Sequence, residues 1–529
     1  MTAITFASMR PVVVDIMLVI SGLVVLIADV AFPLPMRRRL GHVALAELLL
    51  CLLATFVLDL SGPSVAGAYV GDGLALIFKR IFLVTGILAV LGSLHQVDRD
   101  FTRRQGEYYQ MLLYSLAGMT LLAGTRDLIL LVVAFELMGI PLYVLAAYGK
   151  TGPTVGPKPA EAGLKLYLVG AVSSAITLYG ASLVFGAAGS TSIAAIGHAP
   201  PSPLLTTGIA FLLAGLGFKI GVVPFHMWVP DTYQGTSTPF AGFLSVAPKA
   251  AGLVALIQLM LGGFLPLYTF WSPLVLGLAL ATLIVGNIMA LRQVNIKRLL
   301  GFSGVAHMGF LLMALSAIIP AADGLSPGDI PGASEGLAAL TFYVMAYVVA
   351  NMGLFMVVEA VSSSSLEASS EAAGESEAGR KAAPLVGEAA KGTEALPEPD
   401  SLDAFAGLAR RTPWMGMAIL LFLLSLAGIP FVVGFWAKLY ILLAAWHAGL
   451  HILVVAAATL SVVGLFYYMQ VVRSIYMREP RQSGAIRIHP ALGWSIVLCL
   501  VATVAMGFYP GPFIDAARDA AAGFLSGGP

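Results

Sequence analysis

Long apolar runs, most of them the length of a membrane-spanning helix, recur along the whole chain of 529 residues. A helix needs about 20 mainly apolar residues to cross a bilayer, whereas the strands of an outer-membrane barrel are shorter and alternate apolar with polar residues. The runs therefore predict an all-α polytopic membrane protein with about fourteen transmembrane helices. These helices, called spans one to fourteen, are expected at roughly 12 to 32, 43 to 60, 74 to 95, 109 to 124, 126 to 147, 162 to 186, 204 to 228, 241 to 262, 270 to 291, 299 to 319, 337 to 360, 415 to 445, 450 to 476 and 492 to 513.

The amino-acid composition agrees with a membrane protein and excludes a water-soluble fold. Hydrophobic residues make up 59% of the chain and charged residues 11%, against about 45–50% and about 25% in soluble domains. The 29 basic and 28 acidic residues nearly cancel, so no strong overall field would recruit nucleic acid. Cys51 and Cys499 lie far apart within apolar runs, which fits neither a metal cluster nor a disulfide framework.

The basic residues of the loops indicate the orientation of the chain, because cytoplasmic loops retain Lys and Arg. Most loop Lys and Arg residues follow spans one, three, five, nine, eleven and thirteen, and these loops all lie on one side of the membrane. The opposite side has little beyond Arg10, Arg126 and Arg518. We therefore expect both termini on the non-cytoplasmic side.

The segment 361–403 breaks the apolar pattern between spans eleven and twelve. It is rich in Ser, Glu, Ala and Gly and contains nine acidic and three basic residues. Such a composition buries too little apolar area to offset the entropy of ordering. We predict a flexible cytoplasmic loop and interpret it as a tolerated insertion, with a regulatory or docking role as the alternative.

Four charged side chains stand out in the interior of the predicted spans, where a charge costs at least about 2.5–3.5 kcal/mol at the bilayer centre. Each therefore needs a partner, water or a function. They are Glu136 in span five, Lys219 in span seven, Lys249 in span eight and Lys438 in span twelve.

Prolines accompany the lysines of spans seven and twelve. Pro224 follows Lys219, and Pro430 precedes Lys438. Proline removes a helical hydrogen bond, so both spans should be kinked or locally unwound, and the carbonyl groups released in this way favour a hydrated cavity. A lysine beside water can change protonation, and movement of Glu136 toward or away from Lys219 would alter whether that lysine holds a proton.

Three further side chains are candidates for supporting roles. His226 lies seven residues after Lys219, on nearly the same face if the helix is regular, and His307 lies in span ten. Histidine suits proton relay, but each histidine could equally cap a broken backbone or bond to a neighbour. Lys165 follows Glu161 by four residues, a spacing that fits a local ion pair as well as a functional role.

Spans seven and twelve also resemble each other. IGVVPFHMW in the first and LAGIPFVVGFW in the second both place small residues before Pro-Phe and a Trp after it. Broken helices at matching places in two halves are typical of transporters, whose ion path lies near the bilayer midplane.

At these residues the chain resembles the proton-pumping, antiporter-like membrane subunits of respiratory complex I, the bacterial NADH-quinone oxidoreductase. The resemblance implies two inverted five-helix repeats, spans four to eight and nine to thirteen, with spans seven and twelve discontinuous. The implied domains are 1–108, 109–265, 266–480 and 481–529. The segments that carry the resemblance are FELMGIPLYVLAAYGK, AEAGLKLYLVGAVSSAITLYG, GFKIGVVPFHMWVPDTYQGTSTPFAGFLSVAPKAAG, NIKRLLGFSGVAHMGFLL and LLSLAGIPFVVGFWAKLY.

The resemblance also implies roles for the buried charges. Glu136 would be the acid that pairs with Lys219, Lys249 the lysine of the central axis, and Lys438 the terminal lysine. His226 and His307 would support a water-filled path between them. Within the family, a lysine at 438 and the short region after span fourteen favour subunit N over subunits M and L.

The implied function is proton translocation in a bacterial inner membrane, driven by quinone reduction elsewhere in the complex. Partners would be the other membrane and peripheral subunits, membrane lipid and protons. This chain would hold no cofactor; NADH, FMN, iron-sulfur clusters and quinone would bind other subunits. Two alternatives stay open: a cation/proton (Na⁺/H⁺) antiporter subunit without redox coupling, and a structural subunit whose buried charges form static pairs.

Overall fold

A computed structural model of the chain describes residues 9–64, 67–151, 158–318, 332–372, 398–481, 486 and 488–526. Nearly all of these residues belong to helices that pack side by side. Two short antiparallel strands, β1 (Gly62–Ser64) and β2 (Tyr69–Gly71), form the one sheet in the described ranges. In chain order the helices are α1 Val13–Ala31, α2 Leu40–Val57, α3 Gly73–Asp100, α4 Gln105–Ala123, α5 Leu128–Ala146, α6 Lys158–Ala188, α7 Ile193–Ile196, α8 Pro203–Ile220, α9 Trp228–Gly235, α10 Thr238–Gly262, α11 Tyr268–Ala290, α12 Ile296–Ala317, α13 Ala333–Ala372, α14 Leu408–Arg411, α15 Pro413–Ala427, α16 Val433–His447, α17 His451–Met477, α18 Pro490–Phe508 and α19 Gly511–Ser526.

The predicted all-α membrane fold is confirmed. Among the described residues, twelve helical segments are each long and apolar enough to cross a membrane. Predicted span four corresponds to α4, and span twelve to two half-helices of 15 residues each, α15 and α16. The number of crossings, the inverted repeats and the domain boundaries at 108, 265 and 480 stay predictions.

Three helices form the centre of the bundle. The most apolar stretches of α10 and α12 are entirely buried, and that of α13 is 89% buried, whereas that of α17, at the periphery, is only 28% buried. The outer faces are apolar and suit contact with lipid. Lys249 on α10 and His307 on α12 therefore lie in the interior, away from the lipid-facing surface.

Both predicted helix breaks are present. Gly221, the residue after α8, has a φ of +72°, and Gly428, the residue after α15, has a φ of +84°. In each case the N–H of the glycine and the N–H of the following residue donate hydrogen bonds to carbonyl groups near the end of the helix. Val222 donates to Gly217, and Ile429 donates to Leu424. A left-handed glycine thus ends each helix, before Pro224 and Pro430 are reached.

The location of these breaks corrects one expectation from the sequence. His226 was expected on the face of Lys219 if the helix were regular, but α8 ends at Ile220 and α9 begins only at Trp228. His226 therefore lies in the non-helical connection, where helical spacing does not apply.

The end of the chain also differs from the predicted single span fourteen. Helix α18 ends at Phe508, and a separate helix, α19, follows after Pro510. Ala517, Ala520 and Ala521 are buried where α19 packs against α3 and α13.

The segment 361–403 is not a flexible loop at its two ends. Helix α13 continues to Ala372, and the side chains of Ser363 and Ser365 bond to carbonyl groups one turn earlier. At the other end, Asp400 forms an ion pair of 2.9 Å with Lys297 and accepts a 2.9 Å hydrogen bond from Ser362. The prediction thus missed the pairing of acidic residues with basic loop residues; 373–397 lie outside the described residues.

Candidate functional site

Lys219 lies in the last turn of α8 and is 8% exposed. Its Nζ donates a 2.9 Å hydrogen bond to the hydroxyl of Tyr143 on α5 and lies 4.5 Å from the centre of the Phe135 ring. A Cβ on Gly139 would lie 2.5 Å from this Nζ. The absence of a side chain at Gly139 therefore allows the ammonium group to lie directly against α5.

Glu136 lies on the same helix, three residues before Gly139, and is partly buried. The structure brings Glu136 and Lys219 to facing helices, but their charged atoms are more than 4.0 Å apart and form no ion pair. In the described part of the chain the lysine instead bonds to Tyr143. The sequence missed Tyr143, although its position seven residues after Glu136 places it on the same helical face.

A small cavity lies beside Lys219. Its volume of about 20 Å³ is enough for a water molecule, and its lining includes Tyr143, Ser173, Trp228 and Pro248. Pro248 directly precedes Lys249 on α10, so this cavity reaches the helix that carries the next lysine.

Lys249 is completely buried. Its Nζ has no hydrogen-bond partner among the described residues, and the same is true of the buried hydroxyl groups of Tyr233 and Tyr347. The ammonium lies 5.5 Å from the centre of the Tyr233 ring. Gly304 on α12 lies beside both Lys249 and Tyr347.

His307 lies one turn further along α12 and is 5% exposed. Its Nδ1 is 2.6 Å from the Tyr343 hydroxyl and its Nε2 is 3.3 Å from that of Tyr468. The Tyr468 hydroxyl also bonds to Ser303. The predicted histidine thus belongs to a buried network of hydroxyl groups that sequence reasoning missed.

Lys438 lies on α16, the helix that follows the second break. Its Nζ donates to the carbonyl oxygen of Ala427 at 2.9 Å and to the Ser461 hydroxyl at 3.0 Å. Ala427 is the last residue of α15, so the ammonium lies at a helix C-terminus, where the helix dipole favours a cation. Two cavities, each of about 10 Å³, are each lined by both Lys438 and His307.

His226 is partly buried near the first break, and its ring centre lies 6.3 Å from that of Phe302 on α12. In the described ranges its Nδ1 has no hydrogen-bond partner. His226 is therefore near the central helices without joining the network of His307.

Lys165 belongs to a separate charged cluster near one end of the bundle. It pairs with Glu161 and with Asp231 on α9, each at 2.7 Å, and Asp231 also pairs with Arg298. Burial raises the pKa of Asp231, but the hydrogen bonds from Lys165 and Arg298 outweigh it and hold that pKa below its usual range. The cluster fits the predicted ion pair and does not reach the central lysines.

The central side chains form a row across the bundle. One cavity is lined by Lys219 and by Pro248, the neighbour of Lys249 in the chain; Tyr347 lies beside Lys249; and two further cavities are each lined by His307 and Lys438. No group of three or more His, Cys, Asp or Glu side chains that could hold a metal ion occurs in the described ranges. The arrangement suits the transfer of protons between side chains and confined water.

Residues 125–464 match the family described as NADH:quinone oxidoreductase/Mrp antiporter, transmembrane. A protein of Moorella thermoacetica named NADH-quinone oxidoreductase subunit N is 36% identical over 524 residues, which are 98% of this chain and 99% of that protein.

Two solved structures are similar over nearly their whole length. A chain of respiratory complex I from Thermus thermophilus with bound aureothin is 29% identical, with a TM-score of 0.74 over 96% of this chain and 99% of that one. A chain of the Mrp complex from a Dietzia species has a TM-score of 0.77 over 98% and 97%, but at 19% identity this similarity concerns the fold alone. The chain therefore belongs to the NADH:quinone oxidoreductase/Mrp antiporter transmembrane family and, within it, to the subunit N proteins of NADH-quinone oxidoreductase.

Proposed function

We propose that this chain is the proton-translocating subunit N of a bacterial NADH-quinone oxidoreductase and that protons move along the row from Lys219 through Lys249 to Lys438. Membership of the subunit N family supports the assignment to the complex. The observation that carries the path is the burial of Lys249 without a hydrogen-bond partner among the described residues. A buried lysine in this state responds strongly to water and to nearby charge.

The energy for translocation must come from outside the chain. Moving one charge against a membrane potential costs about 2.3 kcal/mol per 100 mV. Quinone reduction in neighbouring subunits would change the charge next to Glu136, and Glu136 would then move toward or away from Lys219. In the present geometry Lys219 bonds to Tyr143, so an ion pair with Glu136 would replace that hydrogen bond.

Partners and cofactors follow from the same proposal. The chain would assemble with the other membrane and peripheral subunits and with lipid in the bacterial inner membrane, with both termini on the non-cytoplasmic side. NADH, FMN, iron-sulfur clusters and quinone would bind to other subunits, and this chain would contribute the proton path alone.

The second candidate function is cation/proton antiport without redox coupling. The fold shared with a chain of the Mrp complex supports this alternative. A third alternative, static pairing of the buried charges, is disfavoured because Lys249 has no anionic partner within the described ranges.

Lys249→Met in the assembled complex tests the proposal. In membrane vesicles we expect NADH-driven proton uptake to fall by about 10-fold or more, because one proton-transfer group of the row is lost. Lys158→Met, which removes an exposed lysine paired with Glu398, is the matched control and should pump normally.

Two outcomes would contradict the proposal. One is normal proton uptake by a Lys249→Met complex of normal subunit composition. The other is proton movement through the isolated chain in vesicles driven by a sodium gradient alone, which would favour the antiporter.

A further inference from the structure

Tyr347 lies between Lys249 and the cavity that contains Lys438. Its hydroxyl lies beside Lys249 above Gly304, and its side chain lines the same cavity as His307, Tyr343 and Lys438. The ring centres of Tyr347 and His307 are 5.0 Å apart. Tyr347 is 4% exposed, so its ring forms an interior wall between Lys249 and that cavity.

The distance between Lys249 and Tyr347 suits one bridging water molecule. Lys249 Nζ and Tyr347 Oη each lie 2.9 Å from the point that a Cβ on Gly304 would occupy, so they are at most twice that distance, about 5.8 Å, apart. No hydrogen bond joins them directly. Two hydrogen bonds of about 2.8 Å through one water span up to this distance.

The polar atoms also need such a partner. Lys249 Nζ and the hydroxyl groups of Tyr347 and Tyr233 are all buried without a hydrogen bond to any described residue. A buried polar group without a partner costs about 1–3 kcal/mol, and waters that fill such places usually make about three hydrogen bonds. Lys249 Nζ and the Tyr347 hydroxyl both lie beside Gly304, so one water between them would give each of them a partner.

We propose that Tyr347 is a proton-relay residue, which passes protons from Lys249 to the cavity of Lys438 through a water molecule held beside Gly304. The ammonium of Lys249 gives a proton to the water oxygen, and the water gives one of its own protons to the Tyr347 oxygen. The original hydroxyl proton of Tyr347 passes through cavity water to the neutral amine of Lys438. One N–H bond breaks at Lys249 and one forms at Lys438, and each oxygen keeps its number of protons.

The glycine at 304 has a defined place in this relay. A methyl group there would lie 2.9 Å from both Lys249 Nζ and Tyr347 Oη, so both atoms would have to move and the water bridge between them would be disrupted. Gly304→Ala therefore blocks the relay without changing any titratable group, and Tyr347→Phe removes the hydroxyl while keeping the ring wall.

The chain offers a matched control for each change. Tyr109 on α4 is 1% exposed, and its hydroxyl likewise has no partner among the described residues, but it lies beside Gly41, away from the row. Gly277 on α11 has open space where a Cβ would be. Tyr109→Phe and Gly277→Ala thus repeat the chemical changes outside the row.

The inference rests on the proposed function, so the experiment includes Lys249→Met as a reference. The whole complex carrying each variant is reconstituted in vesicles, and protons translocated per NADH oxidised are measured with subunit composition as the check of assembly. We expect Tyr347→Phe and Gly304→Ala to lower this ratio by about 10-fold, as Lys249→Met does, while both controls keep it.

The other outcomes are distinguishable. If Lys249→Met lowers the ratio but Tyr347→Phe does not, or if Tyr109→Phe lowers it equally, the relay through Tyr347 is overturned and the lysine path stands. If Lys249→Met keeps a normal ratio, the proposed function itself fails. If Tyr347→Phe does not assemble, Gly304→Ala decides between these outcomes.

Discussion

The two helix breaks have the same backbone design but use their side chains in opposite ways. At the first break the indole of Trp228 donates to the Phe218 carbonyl of the broken helix at 2.9 Å, and Lys219 bonds to a neighbouring helix. At the second break Lys438 donates to the carbonyl of the broken helix, and Trp436 bonds to the Gly507 carbonyl of a neighbouring helix.

At the first break, the side chain that supports the broken helix, Trp228, is not the one that can carry a proton. At the second break, Lys438 has both roles. The indole of Trp228 is neutral and keeps its hydrogen bond whatever the protonation of Lys219. At the second break the donor is itself the titratable group, so loss of its proton weakens the cation–dipole interaction with the end of α15, which is worth about 0.3–1 kcal/mol and up to about 2 when partly buried. The shape of the second break is therefore coupled to the charge of Lys438.

The largest expected effect tests how tightly the second break is packed. A Cβ on Gly434 would lie 1.8 Å from the backbone oxygen of Ser425, so Gly434→Ala must displace α16 from α15. We expect a loss of about 3 kcal/mol or more in the free energy of unfolding, measured by thermal unfolding of the full-length chain in detergent. Gly277→Ala is the control, and a normal melting temperature for Gly434→Ala would show that this contact is less rigid than the structure indicates.

The next largest effect compares the two lysines directly. Lys438→Met leaves the Ala427 carbonyl without its donor and should cost about 1–3 kcal/mol in unfolding free energy. Lys219→Met frees only the Tyr143 hydroxyl, which can rotate to another partner, and should cost less. Equal losses in parallel thermal melts would remove the distinction between the breaks.

The smallest effect concerns the two tryptophans. Trp228→Phe removes one of the two donors to the Phe218 carbonyl, which also accepts from Gly221, and should cost about 1 kcal/mol. The loss should appear as faster hydrogen exchange of the last turn of α8. Trp436→Phe should leave the last turn of α15 unchanged; faster exchange there instead would mean that both tryptophans support their own break.

Much of this organisation could be predicted from the sequence. The apolar runs located the helices, and the same runs exposed the four charges Glu136, Lys219, Lys249 and Lys438 as exceptions. The repeated Pro-Phe motif located both breaks, and the family prediction is confirmed by the comparisons. These features depend on local composition, which a single sequence records directly.

The remaining features depend on which side chains meet between helices. The hydrogen bond from Lys219 to Tyr143 exists because Gly139 opens a gap on the facing helix, and spacing along one helix does not reveal this gap. The sequence of α13 does not distinguish Tyr347 from the apolar residues around it, and only its position beside Gly304 of another helix reveals its contact with Lys249. The roles proposed for the lysines and His307 in proton transfer remain predictions for the experiments above.

The hydrogen bond from Ser362 to Asp400 has a practical consequence. The two residues lie 38 positions apart in the chain but side by side in space, so the chain leaves the bundle and returns to it at one place. Doubling the length of a connection whose ends lie so close costs only about 0.6 kcal/mol. A fluorescent reporter or an affinity tag inserted between 372, the last residue of α13, and 398 should therefore leave the membrane helices undisturbed, which makes this position a convenient handle for following the subunit during assembly.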